Sequence, residues 1–350
     1  MKTIYIGSTN ENSGKSLVCI CLGKILMEEE KKVAYMKPFG TLPALSGGEV
    51  VDEDALFMKE FFGMDEPLED ICPVVLTHDL KIQAYRGRLG DVKKRILEAF
   101  QRVSKGKDVM LIGGGHTIDD GRMLGVPSED IIRETKSKVI LVERHDEYHG
   151  LDTLLAVGDR LGKNLAGLIL NKVEPENIDF FRKMIVPFLE KQGINVLGIM
   201  PRDAVLMSVS VHDLVLNLGG DVITAHGYQD ELVQNFVVGA MNLESAISRF
   251  RKIQNKAVIT GGDRSDLQLA ALETSTRCLI LTGSMYPQPV IQAKADEMGV
   301  PIIVVKDDTL TVVEKIDSLL GRPRIREEEK IKRGLEIFRE GVDMEKIKKI

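Results

Sequence analysis

The sequence predicts an α/β protein made of two successive parallel sheets with helices on both faces, the second smaller than the first, followed by a C-terminal helix. Three observations carry that prediction. Through the first half, short β-branched runs alternate with amphipathic stretches, the pattern of a parallel sheet covered on both sides. After about Met207 the alternation resumes on a smaller scale. From Arg326 onward the chain is rich in Glu, Lys and Arg, with Ile331, Leu335, Ile337 and Phe338 interspersed, which reads as an amphipathic helix packing on its own domain or on a sister subunit.

In order, strands are expected at Thr3–Ile6, Lys32–Met36, Val109–Ile112, Lys138–Val142, Leu165–Leu170 and Asn195–Ile199. Between them, Asp91–Val103 places Val92, Ile96, Phe100 and Val103 on one helical face, and Pro187 should kink a helix over Pro175–Lys191. A helix over Val211–Leu218 stops at Gly219, a suitable C′ residue. Strands follow at Asp221–Ala225, Phe236–Val238, Lys256–Thr260, Cys278–Thr282 and Pro301–Val305. Helices near Glu244–Lys252, Asp266–Glu273, Pro289–Met298 and Leu310–Leu320 separate the later strands. The boundary falls near residues 203–210, giving domains 1–205 and 206–322 and a charged terminal helix 323–350.

Composition excludes several classes. A net charge of −6, with no basic tract before the last stretch, argues against a general nucleic-acid binder, which needs a basic face to release counterions. No apolar run approaches the roughly 20 residues that cross a bilayer, and the N-terminus lacks the pattern of a secretory signal. Cys19, Cys21, Cys72 and Cys278 form no CxxC pair and read as reduced, buried thiols. The expectation is a cytoplasmic protein with no membrane partner.

The chemistry begins at Gly7-Ser8-Thr9-Asn10-Glu11-Asn12-Ser13-Gly14-Lys15-Ser16, between the first strand and the first helix. Such a loop turns backbone N–H groups toward a phosphate, and a helix N-terminus adds its dipole. Gly14 lets the backbone approach, Lys15 supplies charge for the outer phosphates, and the Ser16 hydroxyl suits magnesium. The strict GxxxxGK[ST] pattern wants glycine where Thr9 stands. The first domain is therefore expected to be a P-loop NTPase-type sheet binding ATP with Mg2+, its nucleotide contacts coming from Thr9, Asn12, Ser13, Gly14, Lys15, Ser16 and Leu17.

This loop, followed by Met36-Lys37-Pro38 at the end of the second strand, resembles dethiobiotin synthetase. The resemblance implies that Lys37 lies in the active site with Lys15, and that an aspartate of the run Asp52-Glu53-Asp54 helps Ser16 hold magnesium, Asp54 first and Asp52 next. An acidic helix N-terminus favoured by the macrodipole is the competing reading of that run. The resemblance also places Asn171, in Asn171-Lys172, on the adenine, and implies a homodimer. One departure is plain. The family carries a magnesium-ligating glutamate after the third of these strands, in a Glu-Gly-x-Gly pattern, where this chain has Gly113-Gly114-Gly115-His116. Asp119 or Asp120, further along that loop, are the available substitutes. His145 and His149 stand beside Glu143 and Asp146, a set that reads as a solvated loop rather than a metal site.

In the second half, Gly261-Gly262-Asp263-Arg264-Ser265-Asp266 leaves one strand, Leu281-Thr282-Gly283 closes the next, and Lys306-Asp307-Asp308-Thr309 the one after. Three such strand ends form the ligand crevice of an open α/β sheet. Arg264 there clamps a phosphate or pairs with an aspartate to fix a turn. With Val238-Gly239-Ala240-Met241, these residues resemble the DRTGG domain, whose second-site ligand would meet Gly262, Asp263, Arg264, Asp266, Thr282, Gly283, Asp308 and Thr309. A dethiobiotin-synthetase-like domain followed by a DRTGG domain resembles the front part of long phosphate acetyltransferases. That resemblance implies an ATP-binding regulatory or accessory protein, with an unknown protein partner, rather than a transferase of acetyl groups. The alternative it leaves is an ATP-dependent ligase with phosphoryl transfer of the synthetase type.

Overall fold

The computed structural model describes residues 1–144, 150–321 and 324–350. Two compact units are present. The first comprises Met1–Arg202 together with Ile331–Ile350, and the second is Asp203–Lys330.

The first unit is built on β1 (Lys2–Gly7), β2 (Val33–Met36), β3 (Val109–Gly113), β4 (Lys138–Arg144), β5 (Leu165–Val173) and β6 (Val196–Pro201). They form one six-stranded sheet in the order β6-β5-β4-β1-β3-β2, with every pairing parallel. The strands are almost wholly buried because helices cover both faces, which is why they read as continuous apolar runs. All six expected strands are present, and β4 and β5 run further than expected, to Arg144 and Val173. The chain leaves β1 toward β3 and β2, then returns to build β4, β5 and β6 on the other side. The C-terminal end of β1 is thus the switch point where such sheets bind ligands.

Helix α1 (Lys15–Glu28) follows β1 directly, and α2 (Glu53–Phe61) is capped by the Asp52 carboxylate, which accepts from Ala55 N–H at 3.0 Å. Between β2 and α2 lies a hairpin, Pro43–Ser46 with Glu49–Asp52, that the sequence reading did not include. In α3 (Val92–Val103) the buried positions are Val92, Ile96, Ala99 and Val103, so Ala99 takes the inner place expected of Phe100. The expected kink before Pro187 is a π-helical turn, Phe181–Ile185, which widens the helix where proline supplies no N–H.

The second unit holds a five-stranded sheet of β7 (Asp221–Val222), β8 (Asn235–Val238), β9 (Lys256–Gly261), β10 (Thr276–Thr282) and β11 (Ile302–Val304), ordered β7-β11-β10-β9-β8. All its pairings are parallel except β7 with β11. Two apolar clusters cover its faces, one around Phe250, Leu267 and Ile291 and the other around Leu214, Val233 and Ile316. The helix Val211–Leu218 ends at Gly219 with φ 66°, the left-handed conformation glycine adopts without strain.

Helices α4 (Ser265–Leu272) and α5 (Thr309–Leu320) belong to the second unit, and the charged C-terminal stretch after them forms two more helices. Helix α6 (Glu328–Gly341) brings Gly334 against Leu17 of α1, and Arg339 pairs with Glu28 at 2.6 Å. Val342 then bridges Gly198, and Asp343 N–H donates to Leu197 O at 2.8 Å before α7 (Met344–Lys348). Ile337 and Phe338 are buried, so residues 331–350 complete the core of the first unit. Phe338→Ala is expected to destabilise the protein by about 3–5 kcal/mol, the usual cost of removing a buried aromatic ring. Urea unfolding followed by circular dichroism measures it.

Candidate functional site

The register of the first sheet sets the site. Ile6 lies opposite Gly113 on β3, and Gly7 lies opposite Leu141 on β4. Continuing that second register brings Thr9 beside Glu143, and the side chain closes the pair. Glu143 Oε1 accepts from Thr9 N–H at 2.5 Å, and Oε2 accepts from Thr9 Oγ1 at 2.8 Å and Asn10 Nδ2 at 3.2 Å. Glu143 is buried, and burial pushes its carboxyl above the ordinary range against the pull of these donors and of Lys15. Sequence reading had set this residue in a solvated loop. It instead lies on β4, which runs two residues further than expected, and no local sequence signal marks that extension.

The end of β5 holds the other side of the loop. Asn171 Nδ2 donates to Ser13 O at 2.8 Å, and Lys172 Nζ donates to Asn12 O at 2.8 Å. In a planar trans peptide the next N–H points opposite to the carbonyl. Pinning these two carbonyls therefore directs the N–H groups of Ser13 and Gly14 to the other side of the loop. Asn171 Oδ1 accepts from Lys172 N–H at 2.9 Å. The geometry thus gives Asn171, read as an adenine contact, a loop-holding position. Gly14 has φ 100°, and a Cβ there would collide with Asn171 Nδ2, so both conformation and space require glycine. The Ser13 hydroxyl is buried without a partner among the described residues. Leu17 is buried in the first turn of α1, and Ser16 is half-buried at its start.

Lys15 Nζ donates to Ser8 Oγ and to His116 O, each at 2.7 Å. Burial pushes it down to about 8, while Glu143 and Asp120 pull the other way. Burial likewise brings Lys172 to about 8, helped by Arg144 and Arg202. An anion arriving at the loop would relieve both.

Lys37 stands at the end of β2 and is 3% exposed. Its ammonium contacts Asp52 at 3.0 Å and Asp54 at 2.8 Å. Burial alone would lower its pKa, but Asp54 and Asp52 together hold it well above the usual lysine range. Asp52 is committed three ways, to Lys37, to Leu42 N–H at 2.9 Å and to the α2 cap. Its side chain is 0% exposed, whereas that of Asp54 is 25% exposed. Of the two acids read as metal ligands, Asp54 is the one that reaches solvent.

In the second unit the strand ends also converge. Arg264 forms a two-pronged pair with Asp266 at 3.1 and 3.0 Å and donates to Met241 O at 3.2 Å. The turn-fixing reading of Arg264 is thus the arrangement present. Gln268, which sequence reading missed, is buried and donates to Gly261 O at 3.0 Å and Gly262 O at 3.1 Å. A Cβ at Gly262 would strike the carbonyl of Met285, so the turn from Gly261 to Asp263 requires glycine there. The Thr282 and Thr309 hydroxyls meet at 3.1 Å, Gly283 has φ 77°, and Asp308 caps α5 through Leu310 N–H and Thr311 N–H. His145, Asp146 and His149 lie outside the described residues. Among the described residues no group of three or more His, Cys, Asp or Glu is placed to hold a metal, and no helix is long and apolar enough to cross a membrane.

Residues 2–210 match the family model described as an AAA domain, well over half of the chain. The chain belongs to that family. Residues 213–319 match the DRTGG domain, so the AAA domain precedes a DRTGG domain as the sequence predicts. The phosphate acetyltransferase of Synechocystis sp. is 22% identical over 99% of this chain and 51% of its own length. That of Nitratidesulfovibrio vulgaris is 23% identical over 97% and 50%. The chain thus spans about half the length of these curated relatives. The ATP-dependent dethiobiotin synthetase of Methanococcus vannielii is 23% identical over 56% of this chain and 92% of its own. Among solved structures, the septum site-determining protein MinD of Pyrococcus horikoshii, complexed with Mg-ADP, has 18% identity, covers 59% of this chain and 83% of its own, and gives a TM-score of 0.37. A score that low decides nothing further.

Gly14→Ala is expected to destabilise the fold by more than about 1 kcal/mol, because alanine meets both an unfavourable φ and a collision. In an Asn171→Ala background the added cost should shrink, since the colliding amide is gone. A double-mutant cycle in urea reads the difference.

Proposed function

We propose that the chain is a nucleotide-responsive regulatory or accessory protein, with ATP at the phosphate loop and a second ligand or a protein partner at the DRTGG crevice. The observation that carries the reading is the loop itself. Lys15 is desolvated beside it, and Asn171 and Lys172 hold the Ser13 and Asn12 carbonyls, which turns the N–H groups of Gly14 and Ser13 the opposite way, free for an anion. The printed name of the synthetase relatives, ATP-dependent, agrees with an adenine nucleotide. The residues fit a magnesium–nucleotide at this place, with the buried Ser13 hydroxyl lacking a partner among the described residues and Ser16 at the start of α1. Magnesium, when bound, would screen the negative charge of the outer phosphates.

The ligase-type alternative rests on Lys37. Its charge is already matched by Asp52 and Asp54, which leaves less of it for a transferring group, and this favours the regulatory reading.

Calorimetry with the full chain tests the proposal. ATP is expected to bind, and Lys15→Ala to weaken binding by about tenfold or more. No detectable heat with the wild-type chain, at protein concentrations sufficient for micromolar affinity, overturns it. Because Lys15 sits near 8 and a polyphosphate favours its charged form, affinity should fall as pH rises through about 8. Parallel titrations at pH 8.5 in two buffers of different ionisation enthalpy should show proton uptake on binding. Regulation further implies that saturating ATP alters amide exchange at residues 261–268 as well as in the loop.

A further inference from the structure

In P-loop folds the cation on the outer phosphates is held by the Ser or Thr after the loop lysine and by an acid near the end of a neighbouring strand. The end of β3 is Gly113-Gly114-Gly115 and supplies no such side chain. The structure shows what fills the space instead. A Cβ at Gly113 would collide with the hydroxyl of Tyr35 from β2, so no acid can extend from that position without displacing the ring. At Gly114 a Cβ would stand 3.0 Å from Ile6 O and 3.1 Å from the Tyr5 hydroxyl. At Gly115 it would collide with a carboxylate oxygen of Asp120. The Asp120 side chain therefore occupies the cradle that a residue at 115 would fill, folded back from five positions along the loop.

It is held firmly there. Asp120 Oδ2 accepts from His116 N–H at 2.6 Å, and its main-chain oxygen accepts from Ser128 N–H and Ser128 Oγ, each at 3.1 Å. His116 also gives its carbonyl to Lys15, so Asp120 and the loop lysine meet the same residue. The side chain of Asp120 is 20% exposed. Burial would raise its carboxyl, but the hydrogen bonds from His116 overrule it and hold the group below the usual carboxylate range. The other acids nearby are engaged elsewhere. Asp119 pairs with Arg160 at 2.7 Å on an exposed surface, and Glu143 gives both oxygens to Thr9 and Asn10 from the β4 side.

We propose that Asp120 supplies the carboxylate for the nucleotide's divalent cation, with Ser16, in place of an acid at the end of β3. This rests on the nucleotide reading above, and the test separates the two. ATP affinity of the full chain is measured by calorimetry with excess magnesium and with excess EDTA, for wild type, Asp120→Asn and Asp119→Asn. Asparagine keeps an acceptor for His116 N–H, and thermal unfolding checks that each variant is folded. The wild type should gain about tenfold or more in affinity from magnesium. Asp120→Asn should lose most of that gain while its affinity in EDTA holds, and Asp119→Asn should behave as wild type. A full magnesium gain in Asp120→Asn, or none in the wild type, overturns the proposal. Failure of the wild type to bind ATP in either condition overturns the nucleotide reading itself. Should Asp120→Asn unfold, Asp120→Cys gives a second readout, because a thiolate ligand prefers a soft ion. Its ATP affinity should rise more with cadmium than with magnesium, reversing the wild-type order, and an unchanged order refutes the assignment.

Discussion

The phosphate loop has its shape because β4, beside β1, and β5, next to β4, outlast their apolar runs and carry polar side chains past the sheet edge. Glu143 takes N–H and hydroxyl hydrogens from Thr9, while Asn171 and Lys172 take the carbonyls of Ser13 and Asn12. A loop of this length has many conformations of similar energy. Fixing one by side chains means that the entropy of ordering it is met during folding rather than at ligand binding.

Charge is distributed by the same logic. Lys15 faces Glu143 and Asp120 without a direct ion pair to either, whereas Lys37 is locked between Asp52 and Asp54. A buried ammonium with full partners is costly to disturb, and one resting on a hydroxyl and a carbonyl is cheap to redirect. The two lysines that sequence reading grouped together thus have opposite characters. Lys15 is the responsive one, and Lys37 ties β2 to the start of α2.

Much of this fold was legible because parallel strands buried on both faces leave unmistakable apolar runs, and Gly219 and Pro187 punctuate the helices as their chemistry requires. The loop and its lysine were legible for the same reason, being local in sequence. Glu143 was not. Its role depends on the register of β4 against β1, a contact across 134 positions that no local pattern encodes. Asn171 was noticed, but that its amide turns toward Ser13 follows only from how β5 approaches the loop. The hairpin over residues 43–52 carries exposed Leu45 and Val50 in directly opposed positions, so its strands lack the alternation by which half-buried strands are recognised.

The return of residues 331–350 to the first unit makes the second unit an insertion in the tertiary sense, although the two matched families follow one another in sequence. Cutting the chain at the family boundary would strip the outer surface of α1 and leave Leu197 without the amide that caps it. Any excised form of the first unit should therefore be made as a circular permutant or with the tail grafted on, since the linear segment alone is an unfinished core.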